Sequence, residues 1–301
     1  MNIAVIGSGA MGSLYGGLLA ADGATVTLFD VWREHVEAIR TTGLTMETPD
    51  GTVETIPVDA TTDPEEIGTI DLAILFVKSN QTRVAIEGLE QYLDSASVLT
   101  LQNGLGNPKE IATNVDRRSI IAGVTAHGST LIGPGHIRHA GRGPTVIGNY
   151  FVENDERVTT IANRFESAEI ETTVSTNVEQ EIWEKVAVNV GINAASALAN
   201  VPNGDLSVTE PGSRLLEAAV SEFVSVADAE GHKIREDIVA HVRDVAQETG
   251  ANKSSMRQDL EGGRRTEIET LNGEIVRRAE RHGIDVPVNR TLADLIRLAE
   301  R

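Results

Sequence analysis

The chain opens on a strand pattern, Asn2-Ile-Ala-Val-Ile6. It runs without a break into Gly7-Ser-Gly9-Ala-Met-Gly12 and then into a helical pattern over Met11–Ala21. No other feature constrains the fold as much. A strand that hands G-x-G-x-x-G to a helix needs glycine for the tight turn. It also needs glycine for the close approach of a pyrophosphate, which then sits at the helix N-terminus. The bare motif is weakly specific. Its strand–helix context strengthens it, and so does Asp30 at the end of a second strand, Thr25–Phe29. Gly7, Ser8, Gly9, Ala10, Met11 and Gly12 are therefore expected to bind a dinucleotide cofactor.

Two residues bear on which dinucleotide. Asp30 can accept from the ribose hydroxyls of NAD(H), and its charge would repel the 2′-phosphate of NADP(H). Arg33, three residues on, can instead pair with that phosphate.

The first half of the chain alternates strands and helices. Thr45–Thr48 and Thr52–Val58 flank Pro49-Asp50-Gly51 and read as a hairpin. Ile70–Val77 is nearly all apolar, as in a strand buried on both faces. Gln81–Tyr92 reads as one helix, Ser97–Leu101 and Ile120–Val124 as strands, and Gly133–Pro144 as a Gly/Pro/His-rich connection. A short strand at Thr145–Gly148, a helix over Glu156–Ala168 and a last strand at Glu171–Ser175 follow. From Glu181 the pattern is helical, with breaks at Pro202-Asn203-Gly204, Pro211-Gly212, Gly231 and Gly283. The expected class is α/β: an N-terminal Rossmann-type dinucleotide-binding domain over 1–176, then an all-α substrate and catalytic domain over 177–301, the boundary falling near residues 174–180.

The helical half carries one chemical anomaly. Lys185, Asn189 and Asn193 sit four residues apart in the mostly apolar segment from Trp183 to Asn193. Each four-residue step drifts only ~40° around a helix, so the three side chains share a face. An ammonium and two carboxamides are costly to bury without partners, so a polar ligand is expected there. Lys78 follows the buried strand and Asn103 follows the strand Ser97–Leu101. In open α/β sheets ligands bind outside these carboxyl ends, which makes both residues site candidates.

Composition removes other classes. The chain has 301 residues with 45 acidic against 26 basic, a net charge of −19, which argues against nucleic acid or an anionic membrane as partner. Only five of the basic residues are lysine, and this acidic, lysine-poor balance suggests a salt-loving host. There is no cysteine, hence no disulfide, thiol nucleophile or thiolate metal site. His127 reads as structural, and His136 with His139 lack acidic or Cys company, so no metal is expected. The N-terminus reads as a strand rather than a secretion signal, and no apolar run reaches a membrane span, so a cytoplasmic protein is expected.

Over essentially its whole length the chain resembles the ketopantoate reductases. The matching residues are Gly7–Gly12, Val77-Lys78, Gln102-Asn103-Gly104-Leu-Gly106, Thr125-Ala-His127, Trp183–Asn193, Pro202-Asn203-Gly204, and Ser254-Ser255-Met256-Arg-Gln-Asp259 running on to Arg265-Thr266-Glu267-Ile268 and Leu271-Asn272-Gly273. The resemblance implies reduction of 2-dehydropantoate to (R)-pantoate with NAD(P)H, on the route to pantothenate and coenzyme A. It implies that Lys185 is the general acid and that Asn103, Asn189, Asn193, Asn203 and Ser255 line the substrate site. Lys78 and Asn103 would contact the cofactor, and Glu267 would complete the site as a further cofactor-binding residue. By its own chemistry Glu267 can also accept from a substrate hydroxyl. The family usually has an arginine directly after the second strand. Here Asp30-Val31-Trp32-Arg33 stands instead, so the resemblance favours NADP(H) while Asp30 favours NAD(H).

The residues read bottom-up agree. Lys185 can stabilise and protonate a growing alkoxide, the more readily if burial lowers its pKa, and Ser255 can donate to a substrate carboxylate. Helix capping is an alternative role for Ser255 and first-turn placement for Glu267. Two further functions stay open: a reductase of another small 2-keto acid or an opine-type dehydrogenase, and a non-catalytic NAD(P)-binding sensor. The expected partner is a small keto acid, with a homodimer as one possible assembly.

Overall fold

The computed structural model describes residues 1–301. The chain packs as two compact units, one made of 1–102 and 106–179, the other of 103–105 and 180–301.

The first unit runs β1 (Asn2–Ile6), α1 (Ala10–Ala21), β2 (Thr25–Phe29), α2 (Arg33–Thr42), β3 (Leu44–Glu47), β4 (Val53–Ile56), β5 (Asp59–Thr61), β6 (Leu72–Leu75), α3 (Thr82–Glu87), α4 (Glu90–Leu93), β7 (Ser97–Thr100), α5 (Asn107–Ile111), β8 (Ile120–Thr125), β9 (Gly128–Gly133), β10 (His136–Gly141), β11 (Thr145–Asn149), α6 (Glu156–Ser167) and β12 (Thr172–Val174). Eight strands form one sheet in the order β12-β11-β8-β7-β6-β1-β2-β5. β1 pairs in parallel with β2 (Val5↔Leu28) and with β6 (Val5↔Ile74), while the antiparallel pairing of β11 with β8 makes β11 and its parallel neighbour β12 run opposite to the other strands. Helices cover both faces, so the central strands are apolar on both. Ile3 and Val5 join a core with Leu14, Leu28 and Phe165, and their neighbours Ala4 and Ile6 join another with Ile86 and Ile111.

Four strands form a second sheet in the order β4-β3-β10-β9. The hairpin expected at Thr45–Val58 is there as β3 and β4, with Thr45 opposite Thr55. The stretch Gly133–Pro144 contains β10, paired antiparallel with β9, where sequence reading expected only a connection. Its inward residues, Ile137 and His139, are buried. The glycines and Pro134 mark the turn, and they masked the short strand beside it. The single helix expected at Gln81–Tyr92 is two, broken at Leu89, whose backbone (φ −122°, ψ 1°) leaves the helical region. Helix α5, opened by Pro108, was not expected at all.

The second unit is built from α7 (Val178–Ala199, entering the unit at Gln180), α8 (Asp205–Val208), α9 (Glu210–Ala229), α10 (Ile238–Glu248), α11 (Ser255–Glu261), α12 (Asn272–His282) and α13 (Pro287–Ala299). Pro211-Gly212, expected to break the chain, lies in the first turn of α9. Proline is tolerated there, and the Thr209 hydroxyl accepts from the Gly212 N–H at 3.3 Å. Gly191 lets α7 pack closely, since a Cβ there would stand 2.8 Å from Val220 and 2.9 Å from Val242. Trp183 is buried against Phe223 and His232, with the Arg278 guanidinium 5.3 Å from its ring centre. No helix is long and apolar enough to cross a membrane.

Candidate active site

In the first unit the glycine loop is shaped by contacts that exclude side chains. Gly7 has φ +90°, and a Cβ there would lie 2.6 Å from the Val77 nitrogen. A Cβ on Gly12 would lie 2.0 Å from the Gly7 carbonyl oxygen, so the third glycine lets α1 start this close to β1. Gly9 is different, because nothing lies within 4 Å of the position its Cβ would take. Gly9 caps α1 with no side-chain hydrogen bond, and the first turn carries no acidic residue. The N–H groups that open α1 are thus not shielded by a capping side chain, and the helix dipole adds a positive potential there. A cradle with open space at its central glycine and no competing carboxylate in the first turn fits a pyrophosphate.

Asp30 directly follows β2, partly exposed, with one carboxylate oxygen accepting from the Trp32 N–H at 2.9 Å. Arg33 is the first residue of α2 and is exposed. Lys78 follows β6, partly buried. The loop that carries it is pinned by Gln102, whose amide donates to the Val77 carbonyl at 2.7 Å and to the Thr82 hydroxyl at 2.8 Å. Gln102 stands among the residues that carry the family resemblance, but the sequence alone assigned it no role. His127 and His139 are buried together, ring nitrogens 3.1 Å apart, with the His127 ring edge-on to Tyr15.

The second unit gathers the remaining candidates. Lys185 lies mid-way along α7, mostly buried, and burial pulls its pKa from 10.5 down to about 8 while the charge of Glu267 acts to raise it. Asn189 and Asn193 follow on the same helix, Asn193 the more buried. Asn103 belongs to this unit although it follows a strand of the first. Gly104 has φ +91° and passes so near Thr270 that a Cβ would lie 2.7 Å from it, and Leu105 N–H donates to the Thr270 carbonyl at 3.3 Å. That splice brings the Asn103 amide to the Glu267 carboxylate, to which it donates at 3.0 Å. Lys185, Glu267 and Asn103 therefore form one linked group, an ammonium beside a carboxylate that holds an amide.

Thr266 and Ser254, to which the sequence assigned no role, support this group. Thr266 donates through both its N–H and its hydroxyl to Glu300, at 2.7 and 2.6 Å, and so fixes the residue before Glu267. Ser254, not Ser255, caps α11. Its hydroxyl accepts from the Arg257 N–H at 3.3 Å and from the buried Ser196 hydroxyl of α7 at 2.8 Å. Ser255 is left exposed at the start of α11, free of the capping role. Asn203 donates to the Thr249 hydroxyl at 3.1 Å, and its N–H donates to the Asn252 carbonyl at 3.0 Å, so it anchors the turn leading to Ser254. A serine pair before a helical pattern was a legible cap signal; a glutamate reaching back from residue 300 had none.

Comparisons with known proteins agree over the whole chain. Two family models match: ketopantoate reductase PanE/ApbA over residues 3–151, and ketopantoate reductase PanE/ApbA C terminal over residues 177–300. A 2-dehydropantoate 2-reductase of Halobacterium salinarum is 48% identical, covering 100% of this chain and 99% of its own. One of Archaeoglobus fulgidus is 34% identical, covering 99% and 97%. Among solved structures, a PanE/ApbA family ketopantoate reductase from Ralstonia eutropha is 37% identical with a TM-score of 0.91, covering 100% of this chain and 98% of that one. A D-mandelate dehydrogenase solved with NADH and anilino(oxo)acetate is 29% identical with a TM-score of 0.95, over the same shares.

Proposed function

The chain belongs to the ketopantoate reductase PanE/ApbA family, and from that premise we propose that it reduces 2-dehydropantoate to (R)-pantoate with a nicotinamide dinucleotide as hydride donor. The observation that carries this reading is Lys185: a lysine drawn down to about 8 by burial, in one linked group with Glu267 and Asn103. Ketone reduction needs a hydride at the carbonyl carbon and a proton at its oxygen. The bound cofactor supplies the hydride. The ammonium of Lys185 first stabilises the growing alkoxide and then gives it a proton, which a lysine near neutral pKa does far more readily than one near 10.5.

The remaining candidates take the roles their chemistry allows. Asn189 and Asn193 hold the keto acid by their amides, and the exposed Ser255 hydroxyl donates to its carboxylate. Glu267 accepts from the substrate's own hydroxyl while it keeps Asn103 oriented. Asn203 supports the substrate side through the turn it anchors. The glycine loop, with Lys78, holds the dinucleotide phosphates. Asp30 has one carboxylate oxygen on Trp32 and the other for a ribose hydroxyl, so NADH serves at least as well as NADPH, with Arg33 the residue that admits the 2′-phosphate.

A second reading, a reductase of 2-keto acids with an aromatic side chain, draws on the likeness to a D-mandelate dehydrogenase. One panel separates them: kcat/KM for 2-dehydropantoate and for aliphatic and aromatic 2-keto acids, each with NADH and NADPH, for wild type and Asp30→Ala. 2-Dehydropantoate should be preferred, and Asp30→Ala should shift preference toward NADPH. A higher kcat/KM for an aromatic 2-keto acid overturns the substrate. Strong NADPH selectivity unmoved by Asp30→Ala overturns the ribose contact.

A further inference from the structure

We propose that His35 is a positioning residue for the cofactor: acting through Ser13, it fixes the plane of the Ser8–Gly9 peptide so that the Gly9 N–H faces the dinucleotide phosphates. The inference rests on the dinucleotide-binding role of the glycine loop.

His35 lies in the first turn of α2 and is fully buried. Its Nε2 stands 3.0 Å from the Ser13 hydroxyl, and that hydroxyl donates to the Ser8 carbonyl at 2.6 Å. On the other side of the ring, Nδ1 accepts the Gly135 N–H at 3.0 Å. These contacts leave one proton arrangement. A backbone N–H can only donate, so Nδ1 is bare and Nε2 carries the hydrogen. The Ser13 proton is spent on Ser8, so its oxygen accepts from Nε2. Every bond in the chain from Gly135 to Ser8 thus has a fixed direction. Burial also holds His35 below its usual pKa, which keeps the ring neutral. Trp32 stacks on the ring, centroids 5.0 Å apart and planes within 11°, and prevents it from turning. The hairpin turn between β9 and β10 is held just as closely, since a Cβ on Gly135 would lie 2.8 Å from that of Ala38.

The consequence lies in the geometry of one peptide unit. All peptide bonds in the chain are trans, so the carbonyl of Ser8 and the N–H of Gly9 point in opposite directions. With the carbonyl drawn inward to Ser13, the N–H points the opposite way, outward at the exposed Gly9. A flip of this plane would put a carbonyl oxygen where the phosphates bind. Glycine at position 9 lowers the steric barrier to such a flip, because a residue without Cβ accepts either orientation. The loop needs that glycine for close approach, so an internal lock must supply the rigidity that the glycine gives up.

Two substitutions divide the ring's two bonds. Glutamine places an amide N–H near the position of Nε2 and keeps the bond to Ser13; asparagine places its oxygen near Nδ1 and keeps only the bond to Gly135. Measure the Kd for NADPH and NADH by nucleotide fluorescence, with steady-state kinetics and thermal melting, for wild type, Ser13→Ala, His35→Asn and His35→Gln. Ser13→Ala and His35→Asn should each raise the cofactor Kd by about 3- to 10-fold, the worth of one net hydrogen bond. The loss should fall in the cofactor KM and not in kcat at saturating cofactor. His35→Gln should keep a Kd near wild type even though it melts earlier. Wild-type Kd values in Ser13→Ala and His35→Asn, or a His35→Gln variant as weak as His35→Asn, overturn the lock. A wild-type chain that binds neither nucleotide overturns the dinucleotide reading itself.

Discussion

At the scale of single residues the question is why a lysine is kept where burial disfavours its charge. An ammonium in a mostly buried position holds its proton less tightly, and here the carboxylate of Glu267 restores part of that hold. The two effects leave Lys185 titrating at about 8. This fixes a pH dependence. The reduction consumes the protonated form, so kcat/KM should be level below about 8 and fall as pH rises above it. Replacing Glu267 by Gln removes the charge that raises the lysine, so the fall should begin at lower pH. A pH–rate profile of wild type and Glu267→Gln checks both points. A profile that holds level well above pH 8, or one that Glu267→Gln moves to higher pH, contradicts the assignment. The sequence made Lys185, Asn189 and Asn193 legible, because polar side chains at four-residue spacing stand out in an apolar helix. It did not make His35 or Thr266 legible. Their tasks are set by Gly135 and Glu300, partners distant in sequence whose approach only the folded chain determines.

At the scale of elements, strong periodicity was readable and interrupted periodicity was not. β1, α1 and β2 form where the apolar runs and the glycine motif put them. The strand expected over Ile70–Val77 is shorter, Leu72–Leu75, because β6 is limited to the length its neighbours β1 and β7 can pair. β10 escaped reading because its sequence, His-Ile-Arg-His-Ala-Gly, has few strand-favouring residues. Pairing to β3 and β9 makes it a strand, a tertiary effect that overrides local preference. Pro211 misled in the opposite sense: a proline marks a break in the middle of a helix but a start in its first turn, and the capping Thr209 was the deciding signal. Ser254 and Ser255 show how fine the distinction can be. The cap falls on the first of the two, which is tied to α7 through Ser196, and the second is left exposed.

At the scale of the whole molecule, charge is the dominant property. Forty-five acidic against 26 basic residues leave −19, and the arginines largely form exposed ion pairs such as Arg118–Asp116 and Arg243–Glu217. Such pairs contribute little each, whereas the net repulsion is collective. Salt shortens the screening length from ~10 Å at 0.1 M to ~3 Å at 1 M, so repulsion should relax more than the pairs lose. Melting temperature and activity are both expected to climb between 0.1 and 3 M KCl, and curves that are flat or falling would contradict this. The central claim, that one chain joins a dinucleotide-binding unit to a lysine acid, is tested most directly by a single turnover. Enzyme loaded with the reduced cofactor is mixed with 2-dehydropantoate, and the loss of nicotinamide absorbance is followed for wild type, Lys185→Ala and Lys185→Arg. Both variants should bind cofactor as wild type does and oxidise it ~10²–10⁴ more slowly, since arginine keeps the charge but does not release a proton near neutral pH. A Lys185→Arg chain that turns over near the wild-type rate would show that charge alone suffices, and Lys185 would not be the proton donor.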